Sequence, residues 1–508
     1  MRIALVRPPT LLSDSEVRPG ASAPLGLAYI AASLRAHGHQ VSAVDAVGED
    51  LHSYRRVGGV PRVLRHGLTD EQILRRIPLD TDIVAFSCMF STEWPLTRQL
   101  IEATRSNFRR AFIVAGGEHV TSCPEYVLST TPGLDACGLG EGEDLVVDLA
   151  TAVADGADLD QVAGLVHRKM GTIRRNAPRK RVRDIDSLPW PAWDLLPIRN
   201  YIDAGVTPGV HIGRTMPILA SRGCPYQCTF CSSPQMWGTL WRARTPEDLL
   251  EEVKYYRKLY DVTNFDFYDL TAIVKREWII RMARLLIDSD LGITWQLPSG
   301  TRSEAIDDEV VTLMYRSGCR QVIYAPEHGS DYMLAKIKKK IKKPAMLKSV
   351  HAAYLAGITT KANFIVGFPD EKLQHALASY LFAIRLAVAG MDDVSFFPFS
   401  PYPGSELFDR LEREGRARLS DEHFLNLLRN RYSYSAHIPS VLMPVLAAIG
   451  MGLFYLVSFA LRPYRLAALA KAVVSGRPTT RLQAALLRVS RLAGVPTAAS
   501  GGPVERRR

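Results

Sequence analysis

Three cysteines carry the strongest chemical signal in the chain. They stand in Ser221-Arg222-Gly223-Cys224-Pro225-Tyr226-Gln227-Cys228-Thr229-Phe230-Cys231, a Cys-x3-Cys-x2-Cys spacing. Thiolates crowded on one tight loop are the usual ligands of iron–sulfur clusters. Three ligands within eight residues leave one iron of a four-iron cluster without a protein ligand. Such an open position can take a small molecule, as catalytic metals do. Zinc would call for a fourth ligand, usually from a second Cys-x2-Cys or a His pair. Cys228 and Cys231 make one pair and no second lies nearby, so the cluster is the stronger reading. Cys88, Cys123, Cys137 and Cys319 are scattered, and small buried hydrophobes are what they should be. Seven cysteines in 508 residues is an odd, sparse count that argues against a disulfide framework and for a reducing compartment.

The elements around this motif alternate. In residues 1–150, Ile3–Val6, Val41–Val44, Ile83–Ser87 and Phe112–Ala115 read as buried strands, with helical spacing over Leu25–His37 and Pro95–Phe108. That order predicts an α/β fold with a doubly wound, Rossmann-like parallel sheet. Its ligand crevice would lie at the strands' C-terminal ends, at Pro8-Pro9-Thr10, Ser87-Cys88-Met89 and Gly116-Gly117-Glu118-His119. A connector over 151–210 follows, with six Lys or Arg in Arg174–Arg183 and a Pro- and Trp-rich stretch at 187–193. A second alternation over 211–415 has candidate strands at Pro217–Ala220, Asn264–Phe267, Ile293–Leu297, Gln321–Ala325, Ala362–Val366 and Val394–Phe397. Six strand–helix units predict a partial (β/α)6 barrel of TIM type rather than the full eight.

The last region, 416–508, differs in kind. From residue 431 onward there are eleven Lys or Arg against one acid, Glu505, so most of the chain's net charge of +11 belongs to the tail. The nearly neutral remainder argues against nucleic acid as a partner. Tyr432–Leu461 has no charged residue, and basic amphipathic stretches follow at Arg462–Lys471 and Arg481–Arg491. A segment of this length can span a bilayer, but a single span would send the basic stretches outside, against the positive-inside tendency. A helical tail lying on an anionic cytoplasmic membrane face is the expectation, ahead of a core helix capping the barrel. Lys336–Lys343 holds six lysines and reads as a solvated helix face.

The cysteine motif, with Phe230 before its third cysteine, resembles the signature of radical S-adenosylmethionine enzymes. The resemblance implies a [4Fe-4S] cluster on Cys224, Cys228 and Cys231 whose open iron chelates S-adenosylmethionine and cleaves it to a 5′-deoxyadenosyl radical. It also implies an external electron donor of flavodoxin or ferredoxin type. Further stretches resemble the family in order: Tyr268-Asp269, Ser299-Gly300-Thr301-Arg302, Ala325-Pro326-Glu327-His328-Gly329-Ser330, Phe364-Ile365-Val366-Gly367-Phe368-Pro369 and Pro401-Tyr402-Pro403-Gly404-Ser405. They imply that Phe230, Asp269, Arg302, Glu327, Phe364, Val366 and Gly367 line the S-adenosylmethionine site. His328 replaces the family's serine; it is a weak candidate for a substrate acid or base, and a satisfied structural histidine is the stronger reading.

Residues 1–150 are similar to the cobalamin-binding domain that precedes many such barrels. The carrying residues are Ala23-Pro24-Leu25-Gly26, Gly116-Gly117-Glu118-His119 and Gly138-Leu139-Gly140-Glu141. The likeness implies cobalamin held by Pro24, Leu25, Gly26, Ser87, Gly116, Gly117, Glu118, His119, Gly140 and Glu141. The Asp-x-His-x-x-Gly pattern is missing, since Asp50-Leu51-His52 runs on into Ser-Tyr-Arg, so no axial histidine is expected. The family then implies an enzyme that methylates an unactivated carbon, and the tail implies a cytoplasmic, membrane-surface location and a hydrophobic or lipid-like small-molecule substrate. A radical cyclase without methyl transfer is the alternative, and an iron–sulfur redox sensor or scaffold the non-enzymatic one.

Overall fold

The computed structural model describes residues 1–14, 21–429 and 432–475, with Thr480, Leu482, Gln483 and Leu486. The first sheet contains β1 (Arg2–Arg7), β2 (Gln40–Asp45), β3 (Ile83–Ser87), β4 (Phe112–Gly116), β5 (Ala136–Gly138), β6 (Leu165–Lys169) and β7 (Thr172–Arg175). Their order is β7-β6-β5-β4-β3-β1-β2, parallel from β5 to β2. β6 and β7 run antiparallel and extend the sheet into the segment expected to be connector, carrying Arg174 and Arg175 with them. The parallel part reads 2-1-3-4-5, so the strand order reverses between β1 and β3, where doubly wound folds open their crevice.

The second sheet holds β8 (Thr215–Ile218), β9 (Asn264–Phe267), β10 (Thr294–Thr301), β11 (Cys319–Glu327), β12 (Thr359–Val366) and β13 (Asp393–Pro398) in sequence order, all parallel. β8 stops short of the predicted Ala220 because the Ala220 N–H is donated to the Asp269 carboxylate at 3.1 Å rather than to a neighbouring strand. Helices Pro246–Tyr260, Arg276–Asp288, Asp308–Arg316, Lys343–Ala356 and Leu373–Ala389 make the crossovers.

The tail divides. Its first helix, Asp421–Arg429, returns to the first domain, where Phe424 is fully buried and Arg98 pairs with Asp421. Helix Met443–Leu461 lies beside β13 and helix Leu373–Ala389. Met443, Leu446, Ala447, Gly450, Phe454 and Ser458 form its buried face. It therefore covers the open edge of the six-stranded sheet, an edge a full barrel would have closed. Its outer face, with Val445, Ile449, Leu453 and Leu456, stays exposed. Tyr464–Ser475 is helical; the stretch Arg481–Arg491 lies largely outside the described residues.

Candidate functional site at the facing strand ends

Every segment singled out in the barrel falls at a C-terminal strand end, where parallel barrels hold their chemistry. The cluster loop leaves β8 through a two-residue ribbon, Ser221–Arg222 paired with Arg242–Ala243. Gly223 turns the chain with φ +84°, and a side chain there would meet the Leu240 carbonyl at 2.2 Å. Main-chain bonds pin the loop: the Thr229 N–H donates to Ile337 O at 3.1 Å, and the Leu407 N–H to Thr229 O at 2.9 Å. Cys224, Cys228 and Cys231 are half-buried and unbonded to one another.

Among the described residues no three His, Cys, Asp or Glu side chains converge as they would on a single ion. Burial pushes the Cys228 thiol up, and the Lys339 ammonium opposes that rise.

Lys339 is a residue that sequence reasoning missed. The lysine run is not a helix face: the helix Asp331–Lys336 ends first, and Lys338 takes φ +53°. This turn carries Lys339 inward, where its Nζ donates to Glu327 Oε1 at 3.0 Å, both side chains about one-tenth exposed. Glu327 itself sits at φ +62°, at a register shift in β11. A glutamate in left-handed backbone stores strain of roughly 1–3 kcal/mol, a mark of functional positions. Arg302 stacks over Tyr226 of the cluster loop, 3.7 Å from the ring centre, and donates to Lys340 O.

Three expected S-adenosylmethionine contacts lie elsewhere. Asp269 accepts from Ser221 Oγ at 2.5 Å and from Ala220 N, and burial raises its carboxyl to about 6. It anchors the root of the cluster loop. Phe364 stacks on Phe396 and meets Phe382 of helix Leu373–Ala389, so it faces the helical layer, and Val366, two residues on, shares that face. The opposite parity, Asn363 and Ile365, faces inward. The sequence does carry this parity, since polar Lys361 and Asn363 alternate with Ala362, Phe364 and Val366.

His328 is fully buried, donates from Nε2 to Glu371 Oε1 at 3.1 Å, and accepts the Ser330 N–H on Nδ1 at 3.0 Å. Glu371 also takes the N–H groups of Gly367 and Phe368. The histidine thus braces this turn and has no free nitrogen for a substrate.

In the first domain, Gly117 has φ +113° and a Cβ there would lie 2.3 Å from Cys88 O, so glycine is required where β4 ends. Above Gly26 there is open space, and Met89 and Phe90 lie exposed after β3. Pro24 precedes and Leu25 opens the helix Leu25–Ala36, while Ser87, Gly116 and Gly140 end or follow β3, β4 and β5. Glu118 accepts a hydrogen bond from Ser232, next to Cys231. The crevice of the first sheet therefore opens against the cluster loop.

Two expected cobalamin contacts are corrected. His119 turns into the helical layer, with Nδ1 at 2.9 Å from Ser91 Oγ and its ring between Trp94 and Phe424, and burial lowers its pKa to about 3. Glu141 pairs with Arg222 and Arg242 at 3.2 Å each and accepts the Val182 N–H, while Glu143 takes Arg222 at 2.5 Å. This buried cluster bolts the domains together at the root of the cluster loop.

Nearby Glu93, buried beneath the crevice, has its carboxyl raised to about 7, chiefly by burial. The native state then binds a proton that the unfolded chain has released between pH 4.5 and 7, so this group costs stability as pH rises through that window. Glu93→Gln is expected to leave stability near pH 4.5 unchanged and to raise it by about 3 kcal/mol above pH 7, as read by denaturant midpoints across pH.

The residues present fit a cluster and its ligands. Thr229 Oγ1, Thr301 Oγ1, Arg302 Nη1, Ser303 Oγ and Asn363 Oδ1 are buried without partners, and buried polar atoms in this state are waiting for one. Comparison with known proteins agrees. A B12-binding domain model matches residues 16–150 and a Radical SAM superfamily model residues 218–383. The uncharacterized methyltransferase PH0819 of Pyrococcus horikoshii is 31% identical over 409 residues, 80% of this chain and 83% of that protein. The chain belongs to the cobalamin-binding radical S-adenosylmethionine enzymes.

It is an enzyme, and its cofactors are a [4Fe-4S] cluster, S-adenosylmethionine and cobalamin. The radical enzyme is also similar to the cytidylyl-2-hydroxyethylphosphonate methyltransferase of Streptomyces wedmorensis, 29% identical, with 82% of each chain covered. An anaerobic magnesium-protoporphyrin IX monomethyl ester cyclase of Rubrivivax gelatinosus is 27% identical over 81% of this chain and 70% of its own. The fold matches the cobalamin-dependent radical enzyme OxsB, solved with aqua-cobalamin and S-adenosylmethionine, at TM-score 0.70 and 15% identity, covering 97% of this chain and 75% of that one.

Proposed function

We propose that this enzyme methylates an unactivated carbon of a hydrophobic, lipid-like small molecule. When bound, the cluster and S-adenosylmethionine supply a hydrogen-abstracting radical, and cobalamin supplies the methyl carrier. The observation that carries the reading is the contact of Glu118 with Ser232, which turns the crevice of one domain toward the cluster loop of the other. Cys224, Cys228 and Cys231 hold the cluster. Glu327, Arg302, Thr301, Ser303 and Asn363 bind and orient S-adenosylmethionine, and Phe230, packed 5.9 Å from Phe368, shields the loop from water. Gly26, Ser87, Gly116 and Gly117 admit the corrin ring by presenting little or no side chain. An external flavodoxin- or ferredoxin-type protein supplies electrons, and the enzyme works in the cytoplasm at the membrane.

A lipid-like substrate finds support in the apolar tail and in the hopanoid C-3 methylase of Methylococcus capsulatus, 24% identical over 77% of this chain and 69% of that protein. The test supplies methyl-deuterated S-adenosylmethionine and a reductant to the cobalamin- and cluster-loaded enzyme, together with a membrane extract of its host. A deuterated lipid-soluble product is expected, and the Cys228→Ala enzyme should make none. Deoxyadenosine without label transfer would overturn methylation in favour of the cyclase reading.

A further inference from the structure

We infer that the outer face of four helices, Lys343–Ala356, Leu373–Ala389, Met443–Leu461 and Tyr464–Ser475, is a docking surface for an anionic lipid bilayer. The inference is independent of the substrate proposed above. It starts from two apolar stripes that face solvent side by side. On Leu373–Ala389 these are Leu373, Leu377, Leu381 and Val388. On Met443–Leu461 they are Val445, Ile449, Leu453 and Leu456. Leu381 and Leu456 are 64% and 68% exposed. The spacing in each is helical, so each stripe is a continuous face rather than scattered residues.

Both helices are held flat on the enzyme. Tyr380 Oη donates to Leu446 O at 2.8 Å, and Gly450 packs so closely on Phe396 that a Cβ there would approach the ring to 2.8 Å. Arg462 donates to the carbonyls of Ala387 and Val388, and Arg465 to those of Gly390 and Met391. Ser440–Leu461 is long and apolar enough to cross a bilayer, but crossing would strip its inner face from β13. A helix with one face fixed to protein and an apolar outer face is built to lie in the membrane plane.

Charge selects the occupant. None of the residues in these four helices is Asp or Glu, while Lys348, Lys372, Arg385 and Lys471 stand exposed on them or at their starts. A second copy docking face to face would bring these like charges together. An anionic headgroup layer neutralises them, while the leucines enter the acyl boundary. Tyr354 and Tyr464, joined at 3.3 Å between hydroxyls, sit at the edge of this face, as interfacial tyrosines do.

The test is co-sedimentation of the full-length holoenzyme with phosphatidylglycerol-rich vesicles and with pure phosphatidylcholine vesicles. Binding is expected to be about tenfold or more tighter to the anionic vesicles, to fall at high salt, and to drop by at least that factor in Leu381→Gln/Leu456→Gln. Both substituted residues are exposed and neither is one of the residues assigned to the cofactors, so deoxyadenosine formation should not change. Equal affinity for both vesicles, or none for either, would overturn the proposal. So would a wild-type dimer that the double variant makes monomeric, which would assign the face to a second copy. Loss of binding on removal of residues 476–508 with the double variant still bound would overturn it too, assigning the membrane contact to the terminal segment.

Discussion

Arg222→Met is expected to destabilise the protein by about 3–5 kcal/mol. Arg222 is 2% exposed and faces two carboxylates, Glu141 and Glu143, each 4% exposed. Its guanidinium also lies over Tyr29, 5.1 Å from the ring centre. Removing it leaves Glu143 buried and unpaired and Glu141 with Arg242 alone, and burying an unpaired charge is far costlier than losing a surface pair. The double variant Arg222→Met/Glu143→Gln should recover most of the loss, because Glu141 keeps Arg242 and the neutral amide no longer needs a cation. Denaturant midpoints of the three proteins measure this, and near-equal midpoints for wild type and Arg222→Met would refute it. Because Arg222 precedes Gly223-Cys224, iron content after reconstitution should fall with stability and return in the double variant.

The second large effect is at Lys339. Lys339→Met leaves Glu327 buried, strained and unpaired, with an expected cost of about 3–5 kcal/mol. Adding Glu327→Gln should restore stability without restoring S-adenosylmethionine binding, since that carboxylate is proposed to orient the ligand. Lys339→Arg should retain both. The lysine also faces Cys228, where its ammonium opposes the rise that burial imposes on the thiol. Loss of a cation beside the cluster should move the cluster's midpoint potential in the negative direction, a readout that a purely structural lysine would leave in place. An unchanged potential together with unchanged stability would show that the pair is incidental.

These two sites show how differently the sequence and the fold contribute. Lys339 is one of six lysines in a run whose polarity suggests solvent. Only the helix stop at Lys336 and the turn at Lys338 bring one of the six inside. Glu141 sits in a glycine-rich stretch like those that approach a large ring, yet its partner Arg222 lies about eighty residues away. Nothing local announces that pairing. Phe364 and Val366 lie in a segment read correctly as a strand, and the alternation of Lys361 and Asn363 with Ala362, Phe364 and Val366 already separates a polar parity from an apolar one. What the structure adds is that the Asn363 oxygen on the polar parity is buried without a partner.

The sequence by itself determined the chemistry and the order of parts. Cys224, Cys228 and Cys231 lie so close along the chain that any fold must bring them together, and strand–helix alternation with crossover connections leaves little choice but parallel sheets. Short-range pattern is sufficient there because both signals are written within a few tens of residues. What only the tertiary structure decided are the contacts between distant segments: Glu118 on Ser232, Arg222 between two acids, Phe424 returned to the first domain, and a tail helix half on the barrel edge. Those depend on how two domains dock, and docking is set by matched surfaces that are not adjacent in sequence.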